Sequence, residues 1–413
     1  MCTRYLHCLV LACLMGVFLT ACDQSSQNID YQVADSLEVK GPRSLTIPNY
    51  DSTVTGEWQI QAFSIDKEYT WSVDGVLGDT SLRRQGENLV ASTSTPGSFK
   101  VSYTTTIDGE EEVGVAEGVA DYPSAVDQAA RYNLSVFSSA VTSTGLLTQL
   151  AESGLSVTAF APSNAAFLAA LDANDDGQLS DAELPAPGVL AQVLRYHAAV
   201  DSLTTTEISA LISSGDPVPT TLDGAFPPGA DNPTQWSVPL TFSGGSNGAV
   251  TVNGQASSAG VVGADIATAE GIVLHKMDGV LLPSSVVSVN DQAVTRDTVA
   301  NVDSVYVEGT YVSGGGFVAL HEGGPSGSII GVSDYLEGST SNAPEQGFHN
   351  SVGIELSSQL SDTTTVVAMP HQDTNGDQQF TFVPSTGTDV PYFRTSNNQI
   401  PVIDTARVSA TTP

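Results

Sequence analysis

Six residues able to offer oxygen recur at fixed spacing: Asp172, Asn174, Asp176, Gln178, Ser180 and Glu183. Side-chain oxygens at the first, third, fifth, ninth and twelfth places, with a main-chain carbonyl at the seventh, suit a hard divalent cation. Such an ion takes about six to eight oxygens at about 2.3–2.6 Å. Gly177 holds the sixth place, where the chain must turn sharply, and Leu179 the eighth, where an apolar side chain pins the loop to its neighbours. The spacing predicts a calcium site. A weaker copy opens at Asp373, Asn375 and Asp377, with Gln379 and Thr381 as further donors. It has Gln378 at the sixth place and Pro384 at the twelfth, so a plain hairpin turn explains it equally well.

Other reactive groups are sparse. His321, His349 and His371 fall close enough in the chain to converge on a transition metal, although their spacing matches no ligand signature. His275 sits in an apolar strand and reads as a core residue with a hydrogen-bonded ring. Ser326 is followed by Gly327-Ser328, which breaks the Gly-x-Ser-x-Gly turn that exposes a nucleophile. Phosphate loops and dinucleotide fingerprints are missing. The chemistry expected is binding, with no catalytic residue and no enzymatic activity.

The chain's start bears on where that binding takes place. Arg4, an apolar run from Leu9 to Leu19 and the small residues before Cys22 describe an export signal over residues 1–21. Leu19-Thr20-Ala21-Cys22 resembles the lipobox of bacterial lipoproteins, in which the Cys becomes the lipid-bearing first residue. Cys2, Cys8, Cys13 and Cys22 are all the cysteines of the chain. Lipidation of Cys22 leaves the exported part without a disulfide, so its 22–413 stretch must fold on several hydrophobic cores. The 413 residues carry 46 acidic and 13 basic side chains, a net charge of −33. That charge opposes binding to nucleic acid and to anionic membrane surfaces. Lysine is confined to Lys40, Lys67, Lys100 and Lys276, and this acidic, lysine-poor balance resembles halophilic proteins.

These sites need elements to position them. Residues 22–43 read as lipidated Cys and tether. From 44 to 122 the pattern alternates: Tyr69, Trp71 and Val73 share one strand face, Phe99, Val101 and Tyr103 another, with Asp74-Gly75 and Asp108-Gly109 as turns. This predicts a β-sandwich, similar to bacterial immunoglobulin-like or PKD-type modules. After Pro123 the period becomes helical at Leu134, Phe137, Val141, Leu146, Leu147 and Leu150. A strand over Ser156–Pro162 then runs into a helix capped by Ser163 or Asn164.

Three stretches, Thr158–Phe167, Tyr196-His197 and Gly271–Pro283, carry a resemblance to the fasciclin domain family across about residues 123–285. The resemblance implies an α+β wedge with a β-sandwich core and a role in cell adhesion or matrix contact, Tyr196 and His197 belonging to its structural motif. Two features depart from that pattern. One is the acidic insert 172–183, which resembles an EF-hand loop; Pro185 and Pro187 oppose a long exit helix, making it a clip between two helices. The other is a long Pro/Gly/Ser loop from 213 to 248. Residues 286–413 predict a second β-sandwich. Within it, Ile329–Leu336 and His371–Asp377 resemble an uncharacterised domain of halophile surface proteins.

The whole reads as a multidomain, membrane-anchored surface lipoprotein. Its expected partners are extracellular protein or glycan ligands, its cofactor calcium, and its only membrane contact the lipid on Cys22. Two alternatives stay open: a structural envelope protein that binds cations, and a metal-dependent polysaccharide-processing enzyme built on the third domain.

Overall fold

A computed structural model describes residues 37–49, 52–61, 63–146, 156–222, 238–244, 249–297, 302–360, 362–394 and 400–410. The expected signal 1–21, Cys22, and the helical-period residues Leu147 and Leu150 lie outside the described residues, as does most of the 213–248 loop.

The first unit contains β1 (Val39–Lys40), β2 (Ser44–Thr46), β3 (Val54–Ile60), β4 (Thr70–Gly75), β5 (Gly78–Arg83), β6 (Asn88–Thr93), β7 (Gly97–Ile107) and β8 (Glu110–Asp121). They form two four-stranded sheets, β1-β3-β6-β5 and β2-β8-β7-β4. Phe99, Val101 and Tyr103 alternate inward along β7 and are buried. Asp108 and Gly109, at φ +54° and +90°, close the β7–β8 hairpin with the two left-handed residues that match strand twist. The centre is Trp58, fully buried and donating Nε1–H to the Pro42 carbonyl at 3.2 Å. Gly41 and Gly56 press on its ring, and a Cβ at either would lie 2.3 Å from it. The stretch 22–43 is therefore not tether throughout: Val39 is buried, and β1 pairs with Gln59 and Ile60.

The second unit contains α1 (Ala125–Arg131), α2 (Ser135–Ser143), β9 (Val157–Pro162), α3 (Asn164–Leu171), α4 (Pro187–Tyr196), β10 (Ala198–Val200) and α5 (Thr205–Ser214). Strands β11 (Val218–Pro219), β12 (Pro239–Gly244), β13 (Val250–Asn253), β14 (Ser258–Ala267) and β15 (Val273–Met277) complete it. The sheet order is β10-β9-β15-β14-β13-β12-β11, with β15 parallel to β9. Phe160 of β9 and Phe242 of β12, strands four places apart, bring their ring centroids to 5.7 Å. That contact requires the sheet to curl over itself, which makes a sandwich-like core. Register shifts at Val261, Gly263 and Ile266 mark where β14 is bulged. Ser163 caps α3 by accepting the Ala166 N–H at 3.2 Å.

The third unit contains β16 (Ser285–Ser288), β17 (Gln292–Ala293), β18 (Thr295–Asp297), β19 (Val302–Val312), β20 (Gly316–Glu322), β21 (Ile329–Val332), β22 (Phe348–Glu355), β23 (Thr364–Gln372) and β24 (Asp404–Ser409). One sheet is β16-β19-β18 with β22 on the other edge of β19; the second is β17-β24-β23-β20-β21. Val305, Val307 and Ile354 of the first meet Val318, Leu320, Val366 and Ala368 of the second in one core.

The second and third units are not beads on a string. The core around Phe160, Val189 and Tyr196 continues into Val286 and Tyr311. Gln192 Nε2–H donates to the Val287 carbonyl at 2.6 Å. Among the described residues no helix is long and apolar enough to cross a membrane.

Candidate functional site

The acidic loop 172–183 leaves the C-terminal end of α3 and leads toward α4. Its carboxylates organise the loop's own amides. Asp172 accepts the Asp176 N–H at 3.2 Å and the Gly177 N–H at 2.8 Å. Asn174 Oδ1 accepts the Asp176 N–H at 2.9 Å, and Asp176 Oδ1 accepts the Gln178 N–H at 2.8 Å. Ser180 donates both its N–H and its hydroxyl to Glu183 Oε2, at 2.8 and 2.7 Å. These bonds, led by the Ser180 N–H, hold the Glu183 carboxyl below its usual range. Glu183 Oε1 is buried and has no hydrogen-bond partner. Asp175 and Gly177 take left-handed φ of +57° and +77°, the sixth place being the glycine the spacing required. Leu179 and Leu184 pack on the α3–α4 core beside Phe167 and Leu190. Pro187 does not prevent an exit helix; it begins one, the ten-residue α4, since its missing N–H is no loss in a first turn. The loop therefore joins two helices.

The loop 373–381 repeats this frame with different residues. Asp373 accepts the Gly376 N–H at 2.8 Å and the Gln378 N–H at 3.0 Å. Asn375 Oδ1 accepts the Asp377 N–H at 3.2 Å, and Asp377 Oδ1 the Gln379 N–H at 2.8 Å. Left-handed φ again falls at the fourth and sixth places, Gly376 at +72° and Gln378 at +56°, so the glycine has exchanged places. Pro384 offers no carboxylate, but Asp389 stands in. At the ninth place Thr381 donates its N–H (2.5 Å) and hydroxyl (3.1 Å) to Asp389 Oδ2, as Ser180 does to Glu183. Asp389 is fully buried, and sequence reasoning missed it. No spacing rule points to a residue five positions beyond the twelfth place; only the fold back toward the loop delivers it. Among the described residues no three His, Cys, Asp or Glu side chains converge as a ready-made metal cage. Each loop instead offers three carboxylates, spread around it, together with an Asn and a hydroxyl oxygen.

The histidines divide. Tyr196 and His197, at the end of α4, are 0% and 1% exposed, so neither can touch an external partner. His197 donates Nδ1–H to the Val193 carbonyl at 2.8 Å and accepts the Leu281 N–H on Nε2 at 2.9 Å. Burial pushes its pKa down to about 4. The Tyr196 hydroxyl accepts the Gln255 N–H at 2.8 Å, and burial raises its pKa. His275 donates Nε2–H to the Leu203 carbonyl at 2.7 Å and stacks on Phe160. These contacts tie α4 to the later Gln255 and Leu281 segments and β15 back to Leu203. A convergence of His321, His349 and His371 on one metal is not formed. His321 and His371 approach each other on β20 and β23, whereas His349 lies on the opposite sheet, on β22, and contacts the Glu337 carbonyl at 2.8 Å.

Residues 132–283 match the model of the Fasciclin domain, and residues 285–409 match a domain of unknown function, DUF7282. Cell surface glycoprotein 2 of Haloarcula hispanica is 36% identical over 126 residues, which are 30% of this chain and 12% of that protein. Cell surface glycoprotein 1 of the same organism is 37% identical over 105 residues, 25% of this chain and 10% of that protein. The chain thus spans only about a tenth of the length of these relatives. A solved FAS1 domain pair from the insect cell adhesion molecule Fasciclin I is similar at 24% identity. It covers 37% of this chain and 46% of its own, with a TM-score of 0.27. Residues 132–283 are therefore a fasciclin domain, and a domain of unknown function also matched by its own family model follows it at 285–409.

Proposed function

We propose that this chain is a non-enzymatic surface adhesion protein whose fasciclin domain makes extracellular protein or glycan contacts and is stiffened by calcium. The observation that carries the adhesion reading is the fasciclin domain at 132–283 in a chain similar to halophile cell surface glycoproteins. The net charge of −33 suits an exterior of high salt, where screening shortens the reach of self-repulsion to about 3 Å near molar ionic strength. In this reading Cys22 carries a lipid that holds the protein to the cell envelope, and many weak contacts act together by multivalency.

Calcium is the proposed cofactor of both loops. The amide frame of 172–183 fits an oxygen-seeking ion: it turns Asp172, Asn174, Asp176 and Glu183 inward and leaves Glu183 Oε1 buried without a partner. Asp172, Asn174, Asp176, the Gln178 carbonyl, Ser180 and Glu183 would hold the ion, drawing three carboxylates together by neutralising them. Asp373, Asn375, Asp377 and Asp389 would hold a second. The first loop's exit is fixed to the third unit, where Asn350 accepts the Ala186 N–H at 2.8 Å and donates to the Leu184 carbonyl at 3.0 Å. A calcium clip here stiffens the α3–α4 corner and the joint beside it.

Thermal melts with calcium or chelator, each at low and high salt, test the cofactor. At a hundredfold excess over Kd, one site adds about 2.7 kcal/mol. Asp172→Ala should remove one increment and Asp389→Asn the other, while magnesium gives less. An unshifted melt in the wild type refutes calcium binding but leaves adhesion standing. Adhesion is tested by aggregation of cells or beads displaying the chain; aggregation equal to that of cells lacking it refutes that half.

A further inference from the structure

Two imidazoles of the third unit are buried in a manner that adhesion and calcium leave unexplained. His321 on β20 is 4% exposed, and His371 on β23 is fully buried. Each has Nδ1 committed to a main-chain carbonyl, His321 to Gly327 at 3.1 Å and His371 to Asp389 at 2.6 Å. A carbonyl only accepts, so each Nδ1 carries the proton and each Nε2 presents a bare lone pair. Both Nε2 atoms are shut away from solvent, and neither meets a donor. Leaving such an atom unmet in the interior is costly. Two of them side by side point to a guest that lone pairs can hold.

The surroundings restrict that guest. The two rings lie 6.0 Å apart between centroids, with planes 13° from parallel. This is wider than face-to-face contact, and an ion shared at about 2.0–2.1 Å from each nitrogen requires the two Nε2 atoms to turn toward each other. Ala319 and Met369 oppose one another in the ladder between the two histidines. Strand alternation puts both on the histidines' face of the sheet, and both are buried. Met369 brings a thioether to that face. Phe380 and Phe382 close over His371 edge to face, at 5.2 and 4.9 Å. Among the described residues no third His, Cys, Asp or Glu joins the pair. Calcium and magnesium want oxygen, and zinc wants four ligands. Two imidazoles and one thioether select soft, low-coordinate copper.

We propose that His321 and His371, with Met369 beside them, form a buried site for one monovalent copper ion. Both Nε2 atoms are already deprotonated, so binding releases no proton from the pair. The rival occupant is a single water molecule, whose two hydrogens would satisfy the two lone pairs.

The test uses the full chain with calcium present, so that the neighbouring acidic loop is in the same state throughout. Cu(I) is offered both to the folded protein and during refolding, under anaerobic reduction, against a chromophoric Cu(I) chelator. One equivalent should be retained. His321→Gln and His371→Gln should each lower the affinity at least tenfold, Met369→Leu should weaken it, and His349→Gln should leave it unchanged. X-ray absorption of the loaded wild type should show nitrogen and sulfur neighbours without oxygen, which decides the matter even where a variant folds poorly. Copper surrendered fully to the chelator overturns the site, as does equal retention by a folded His321→Gln/His371→Gln double variant. A crystal structure with water bridging the two Nε2 atoms after copper treatment assigns the pair to solvent and overturns it too.

Discussion

Lowering the pH should destabilise the fasciclin domain through His197. Its ring is 1% exposed and saturated, Nδ1–H on the Val193 carbonyl and Nε2 on the Leu281 N–H. Protonating Nε2 would bury a charge and drive off the Leu281 amide, which is why burial holds the pKa at about 4. The unfolded chain keeps its ordinary value of about 6.5, so between the two it binds more protons than the folded protein. Stability is therefore full above the unfolded value and is lost as pH falls toward the folded one. A gap of two to three pKa units corresponds to about 3 kcal/mol in full, of which about 2 kcal/mol is lost by pH 4.5. For a domain of this size that is a fall in Tm of about 4–8 °C. The assay compares melts at pH 7 and pH 4.5 for the wild type and for His197→Gln, whose amide can both donate to Val193 and accept from Leu281. The numerous carboxylates titrate in both proteins, and so does His275, whose pKa burial also lowers. Their effects cancel in the difference of differences. If the variant loses as much Tm as the wild type, the buried neutral imidazole is not an acid-sensitive element and the reasoning fails.

Three further outcomes follow from packing. Gly56→Ala drives a methyl to 2.3 Å from the Trp58 ring and should cost the first sandwich about 1–3 kcal/mol, read from tryptophan fluorescence in urea. Ser163→Ala removes the acceptor for the Ala166 N–H and should cost about 1 kcal/mol, with Ser163→Asp restoring most of it in the same denaturation assay. Asn350→Ala strips the Ala186 N–H and the Leu184 carbonyl of their shared partner. Hydrogen exchange should then speed at Ala186 and the first turn of α4, while Trp58 and the first sandwich stay unaffected.

Much of this architecture was legible in residues. Alternation at Phe99, Val101 and Tyr103 marks strand β7 because a half-buried strand has a period of two, and the structure buries all three. The helical period at Leu134, Phe137 and Val141 likewise falls on the buried side of α2 and its N-cap. The fasciclin resemblance puts Tyr196 and His197 in the core, and the structure buries both. Trp58 did not announce itself as the centre of the first sandwich, since its importance lies in Gly41 and Gly56 making room for it. The start of that sandwich at Val39 was equally hidden, because a two-residue edge strand carries no period.

Residue type and short spacing alone carry the acidity, the confinement of all four cysteines to the first 22 residues, the fasciclin stretch and the twelve-place oxygen pattern of 172–183. Tertiary structure decided three other things. It brought Asp389 to the ninth place of the second loop, and it faced His321 to His371 while sending His349 to another sheet. It also ran the fasciclin core on into Val286 and Tyr311. Each depends on strand order and on segments folding back across the sheet, and contacts of that range leave no periodic trace in the chain.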